Sequence, residues 1–290
     1  MRQEGKSKMC MMKYGIAQWC FPNGQYAFAL AQEAGYDGVQ VETGLDSNGY
    51  YLRDKGMQRA YQEAAKRHGQ EIISVVDNDL MHVGCQGNRE DAEYKKSIRA
   101  IEMTVDTAVD LGCKRIMLPM FFRSQIHMDH PETFERAVEV LRHSCEYAGN
   151  AGIEVQVETS IPARKQIELL AAVNMPNLVN FYDFQNLYWY DGLDAAKELP
   201  ALMPVNGLEM HVCDGWGQMM EGGNGGRLLG TGEAHTAEQV EIICDYGWKG
   251  WLIVENAYYL PTMRDEGSYV ELAKRDLATL KSLVGKRAAQ

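Results

Sequence analysis

One pattern recurs along the 290 residues: an amphipathic run closes on a glycine, one to three residues intervene, and a short β-branched or apolar stretch follows. It closes at Gly35 before 38–42, at Gly69 before 72–76, at Gly112 before 115–118, at Gly152 before 154–157 and at Gly247 before 251–254. Glycine suits the residue after a helix because it enters the left-handed conformation without a Cβ clash. Ile98, Ile101, Val105, Ala108 and Val109 mark the helical period ahead of one such stop. An opening run at 14–19 and two more at 178–182 and 208–212 bring the strand candidates to eight. A helix-like segment follows each, the last at 269–283. Strands alternating with helices build a parallel sheet with right-handed crossovers. Eight such units predict an α/β fold, a single closed (β/α)8 barrel over residues 12–290. A doubly wound open sheet is the alternative, but the turn at 18–24 lacks its glycine-rich phosphate loop. Residues 1–11 read as a flexible tail, and no linker divides the rest.

Composition narrows the partners. Forty acidic against 29 basic side chains leave a formal charge of −11, which opposes binding to nucleic acid or to an anionic membrane. The seven cysteines are scattered, with no paired or finger-like spacing, and read as reduced thiols. The opening residues hold no apolar run of signal-peptide length, so the expectation is a cytoplasmic protein.

In a (β/α)8 barrel the chemistry gathers at the C-terminal ends of the strands. Those ends carry Glu42, the run Asp77, Asn78 and Asp79, then Glu158, Asp183, His211 with Asp214, and Glu255. The fifth to eighth strands thus each deliver a metal-type ligand to one mouth: Glu158, Asp183, His211 and Glu255, spaced by 25, 28 and 44 residues. An acid ending a strand is often only the cap of the next helix. Four in series, each after an apolar run that buries it, point instead to a shared site. Three carboxylates and an imidazole suit one divalent ion, Mn²⁺ foremost and Mg²⁺ or Co²⁺ next, better than a closed structural zinc.

With His211, Val212, Cys213, Asp214 and Gly215, and with the stretch from Leu229 to Glu233, this series resembles the xylose-isomerase-like sugar isomerase/epimerase superfamily. The resemblance covers residues 12–285 as architecture, with its specific motifs in the second half. It implies a metal held by Glu158, Asp183, His211 and Glu255, with the two glutamates as acid and base on opposite faces of a ketose, keto-polyol or related hydroxy-carbonyl. Chemistry agrees: a Lewis acid on the carbonyl and neighbouring hydroxyl stabilises an enediolate, which one carboxylate forms and the other quenches. Isomerisation, epimerisation and dehydration share that step. An inosose dehydratase-like lyase, or elimination from a 3-keto glycoside, is therefore the alternative. A non-catalytic sugar-binding or partner subunit and an endonuclease-IV-like enzyme rank below it. The resemblance also implies a homodimer or homotetramer.

Two positions depart from the epimerase pattern. Asn186 stands where a histidine follows the sixth-strand aspartate, and Gly217 stands where an arginine follows the seventh-strand histidine. Asn186 can still bind a substrate hydroxyl, and Arg227 can replace the arginine if the glycine-rich 222–232 stretch folds over the mouth. Asp214 is expected to orient the metal site or hold a hydroxyl. Trp19 and Trp216, with Phe21, Trp189, Tyr190 and Tyr258, offer aromatic walls against a sugar, or simply lid packing. His82, His127 and His130 read first as solvated loop residues, while Arg123 reads equally as a contact for a substrate anion or as half of a surface ion pair. No cluster of basic residues marks a phosphate pocket, which favours an unphosphorylated substrate.

Overall fold

The computed structural model describes residues 12–21, 24–218 and 225–288. The expected flexible tail at 1–11 and part of the 222–232 stretch lie outside the described residues. Eight strands form a parallel ring: β1 (Lys13–Ala17), β2 (Gly38–Glu42), β3 (Glu71–Val76), β4 (Arg115–Pro119), β5 (Glu154–Glu158), β6 (Leu178–Asp183), β7 (Asn206–Val212) and, after the two-residue strands β8 (Gly215–Trp216) and β9 (Gly225–Gly226), β10 (Trp251–Val254). The barrel closes in the order β1-β10-β7-β6-β5-β4-β3-β2, the (β/α)8 architecture read from the sequence, while β8 and β9 pair antiparallel outside it.

The helix stops fall largely where glycine allows them. Gly35, Gly69, Gly112 and Gly247 all take positive φ at the ends of Ala27–Ala34, Lys55–His68, Ala92–Leu111 and Thr236–Tyr246. The helix expected to run to Gly152 ends earlier, as Pro131–Gly149. Gly152 instead takes its φ of 69° in the turn that leads into β5. The first strand is shorter than the 14–19 run: the chain leaves the sheet after Ala17 in a 3-10 turn, Gln18–Cys20. This exit carries Trp19 over the mouth, where its indole reaches Glu255.

Apolar side chains fill two layers. The larger lies between the barrel and its helices, and includes Val39, Val75, Ile116, Val155 and Val212. The smaller, inside the ring, consists of Val76, Met117 and Phe181 with Trp19 packed on top. Side chains alternate across each strand, so β7 sends Glu209 and His211 to the same inner face, and β2 does the same with Gln40 and Glu42. Among the described residues, no helix is long and apolar enough to cross a membrane.

Candidate metal centre

Glu158 ends β5, Asp183 ends β6, His211 is the penultimate residue of β7, and Glu255 directly follows β10. These strands are neighbours in the ring. Register aligns them: Asp183 pairs with His211 across β6 and β7, and the Glu255 amide bonds the Val212 carbonyl at 3.0 Å. Ligand atoms of all four side chains lie within 4.8 Å of one another. Glu158, Asp183 and His211 are buried, while Glu255 keeps a quarter of its side chain exposed toward the mouth.

The electrostatics of this cluster call for a cation. Burial, then the charges of Glu158 and Glu255, push the Asp183 carboxyl up to about 7. Burial likewise raises Glu158. For His211 burial opposes the charged ring, but Glu255 and Glu158 outweigh it and hold its pKa well above the usual value. His211 Nδ1 stands 2.9 Å from Glu255 Oε2 and 3.5 Å from Glu158 Oε1, yet makes no aligned hydrogen bond to either. A buried imidazole nitrogen without a hydrogen bond, ringed by three carboxylates, fits a divalent ion and its oxygen-rich donor set.

Each of the four is held by a further partner. Asn186 Nδ2 donates to Glu158 Oε1 at 3.0 Å. The amides of Gln185 and Asn186 bond Asp183 Oδ1 at 2.7 and 2.5 Å. Cys213 Sγ lies 3.2 Å from Asp183 Oδ2. Gln40 Oε1 lies 2.6 Å from His211 Nε2, and Trp19 Nε1 donates to Glu255 Oε1 at 3.0 Å. A cavity of about 160 Å³ opens beside the cluster; Glu158, Glu255, Asn186, Asn78 and Tyr190 line it, and among the described residues none that lines it is basic. Tyr190 stacks on Phe121 with ring centroids 4.6 Å apart, making a flat apolar wall.

The structure therefore brings Trp19 and Asn186 to the cluster, each bonded to one of its glutamates. It does not bring Asp214, Arg227 or Trp216 there. Asp214 is buried beneath the loop after β7, where its carboxylate accepts from the amides of Gly215, Gly230, Gly232 and Ala234 and from the Thr236 hydroxyl. With its oxygens so engaged, it organises the loop rather than orienting His211 or holding substrate. A Cβ at Gly232 would stand 2.2 Å from Asp214 Oδ1, so the loop needs glycine there. Trp216 is exposed and bonds the Thr231 carbonyl, and the Arg227 guanidinium lies over its ring at 5.4 Å. The two residues satisfy each other on the β8–β9 hairpin.

Phe21 and Tyr258 are core residues, and Tyr258 bonds Asp276 at 2.8 Å. His82, His127 and His130 are exposed, and Arg123 pairs with Glu93 at 2.6 Å. Of the three polar residues after β3, only Asn78 lines the cavity, with its amide bonded to Glu42 at 2.8 Å. Sequence reasoning missed Gln40, Ser74, Gln156 and Glu209. A signal for three of them was present: Gln40, Gln156 and Glu209 each stand two residues before a strand-end Glu42, Glu158 or His211, on the inner face of strands that are otherwise apolar.

The fold and the strand-end cluster together define a closed (β/α)8 barrel with a candidate metal centre at its mouth. The chain belongs to the xylose isomerase-like TIM barrel family, whose model matches residues 28–283. A curated relative, the 2-epi-5-epi-valiolone 7-phosphate 2-epimerase of Actinoplanes sp. (strain ATCC 31044 / CBS 674.73 / SE50/110), is 26% identical over 204 residues, which is 70% of this chain and 73% of that protein. Among solved structures, the D-psicose 3-epimerase of Clostridium cellulolyticum H10 with D-tagatose superimposes with a TM-score of 0.74 at 14% identity, covering 94% of this chain and 99% of that one. The IolI protein with a bound zinc atom does so with a TM-score of 0.75 at 16% identity, over 95% and 99%.

Proposed function

We propose that this protein is a divalent-metal-dependent sugar epimerase or isomerase that acts on a ketose, keto-polyol or related hydroxy-carbonyl through an enediolate. One observation carries the reading: Glu158 and Glu255 line the same cavity from the two ends of the arc β5-β6-β7-β10, with His211 Nδ1 between them. Glu158, Asp183, His211 and Glu255 hold the ion, Mn²⁺ in this reading with Mg²⁺ or Co²⁺ as alternatives, and when bound it supplies Lewis acidity to the substrate carbonyl and adjacent hydroxyl.

The protein's own groups move the proton. One glutamate removes it from the carbon beside the carbonyl, and the other returns a proton from the opposite side, inverting that carbon. Return to the neighbouring carbon gives the isomer instead. Trp19 and Asn186 hold Glu255 and Glu158 at their working angles through their N–H donors. The absence of lysine or arginine among the described lining residues, beside three carboxylates, supports an unphosphorylated substrate. The zinc atom named for IolI supports a metal and the epimerase names of the other relatives support the reaction class, although the curated relative is named for a 7-phosphate substrate. The stacked Phe121–Tyr190 wall favours, as a second reading, a glycoside that arrives already oxidised at C3 and loses its aglycone by elimination.

Proton exchange in D₂O tests both readings. Protein stripped by chelator and reloaded with Mn²⁺ meets ketoses, inososes and 3-keto glycosides while NMR follows the carbon next to the carbonyl. Metal-dependent deuterium entry is expected, and the labelled carbon separates epimerisation, isomerisation and elimination. Stoichiometric metal with no exchange across the panel would move the assignment to a binding or partner subunit.

A further inference from the structure

Below the four strand-end residues, the barrel interior holds a file of polar side chains that are fully buried. His211 Nε2 meets Gln40 Oε1 at 2.6 Å, Gln40 Nε2 meets Ser74 Oγ at 3.1 Å, and Ser74 Oγ meets Glu209 Oε2 at 2.6 Å. Glu209 also accepts from Gln156 Nε2 at 2.9 Å and pairs with Arg115. These residues come from β2, β3, β4, β5 and β7, so the file ties five strands together under the mouth.

The order of donors along this file is forced from the bottom. Paired with Arg115, the Glu209 carboxylate can only accept. The single Ser74 hydroxyl proton therefore points to Glu209, and Ser74 can only accept from Gln40. That turns the Gln40 amide nitrogen toward Ser74 and its carbonyl oxygen toward His211. A carbonyl oxygen cannot donate, so His211 Nε2 must carry a proton, and Nδ1 keeps the face turned to Glu158 and Glu255. With Gln40 flipped, its amide would donate to Nε2 and drive the ring proton onto Nδ1, where it would bond a carboxylate and block the ligand position.

We infer that Glu209, acting through Ser74 and Gln40, fixes the tautomer and orientation of His211 and so presents Nδ1 to the cation. Gln40, Ser74 and Glu209 are positioning residues. The consequence for metal affinity rests on the proposed metal site; the proton assignment does not.

The test uses the full chain with ¹⁵N-labelled histidine, read by long-range ¹H–¹⁵N NMR in the metal-free and the zinc-loaded forms, with His211→Gln to assign the signal. The expected result is a proton on Nε2 in both forms and zinc on Nδ1 in the second. An unprotonated Nε2 in either form overturns the inference, whatever the protein does to sugars. Zinc affinity, measured by competition with a chelator, is the second arm. Gln40→Leu is expected to weaken it about 10- to 100-fold, the usual cost of losing a partner of a ligating histidine. Ser74 touches neither His211 nor Glu158, Asp183 or Glu255, yet Ser74→Ala is expected to weaken zinc by at least about threefold, on the lower side of that range. Ser74→Thr, which keeps the hydroxyl, is expected to restore affinity. Wild-type affinity in a folded Ser74→Ala protein would show that Gln40 acts alone and would overturn the relay.

Discussion

Replacing Asp77 by asparagine exchanges a buried carboxyl for an amide of nearly the same shape. Asp77 directly follows β3, is fully buried, and neither carboxyl oxygen has a well-aligned hydrogen-bond partner, the Leu80 and Asp79 amides offsetting only part of the burial. Burial, with the charge of Asp79 adding to it, pushes its pKa up to about 8. In the unfolded chain the same group titrates near 3.9. Between those values the folded state binds the extra proton, so this contribution to stability is complete below about pH 3.9 and is lost as pH rises toward 8. Each pH unit inside the window is worth about 1.36 kcal/mol, so from pH 5 to pH 8 the wild type loses about 4 kcal/mol that an asparagine does not lose. At roughly 2 °C per kcal/mol for a chain of this size, Asp77→Asn should gain about 8 °C in Tm over wild type between pH 5 and pH 8. Paired thermal unfolding of the two proteins at the two pH values reads the difference directly. A difference in Tm that stays constant from pH 5 to pH 8 would refute the claim that burial sets this group's proton affinity.

Glu158→Gln and Glu255→Gln are each expected to lower metal-dependent proton exchange by about 10²- to 10⁴-fold, the contribution of a positioned acid or base; near-wild-type exchange in either variant would sink the two-base mechanism. Chelation leaves buried carboxylates facing one another, so apo protein should melt below the Mn²⁺ form, by about 2.7 kcal/mol of stability when free Mn²⁺ is 100 times its Kd. An unchanged Tm with stoichiometric Mn²⁺ bound would contradict the proposed site. Asp214→Ala removes the acceptor of four amides and a hydroxyl, and should cost about 3 kcal/mol of stability while leaving metal affinity intact. Calorimetric metal titration of that variant separates a loop organiser from a group that orients the metal site.

The barrel and its four strand-end residues were legible because both depend on period and position. Apolar runs after glycine stops fixed the strands, and the residue at the end of each run fixed Glu158, Asp183, His211 and Glu255. Asp214 misled because chain proximity to His211 says nothing of the direction its carboxylate takes once Gly232 lets the loop wrap around it. Arg227 was placed by a glycine-rich stretch that could fold over the mouth and Trp216 by its position beyond a strand end, and the two instead stack on each other. Gln40 and Ser74 escaped notice because a polar residue inside a strand is informative only once the inner face is known.

The ring closes where β1 meets β10, and there the Trp19 indole reaches across to Glu255, 236 residues further along the chain. Synthesis runs from one side of this seam to the other. A nascent chain already holds Gln40 and Ser74, then Glu158, Asp183 and His211, long before the last carboxylate leaves the ribosome. The four donors meet once the final strand docks on β7, but Trp19 and Gln40 reach Glu255 and His211 only when that strand also lies beside the first, so tight cation capture would report ring closure rather than mere collapse. Cut between β4 and β5, the chain would yield one half with every ligand and another with Trp19, Gln40 and Ser74, and neither half could present the finished site until the two reassociate.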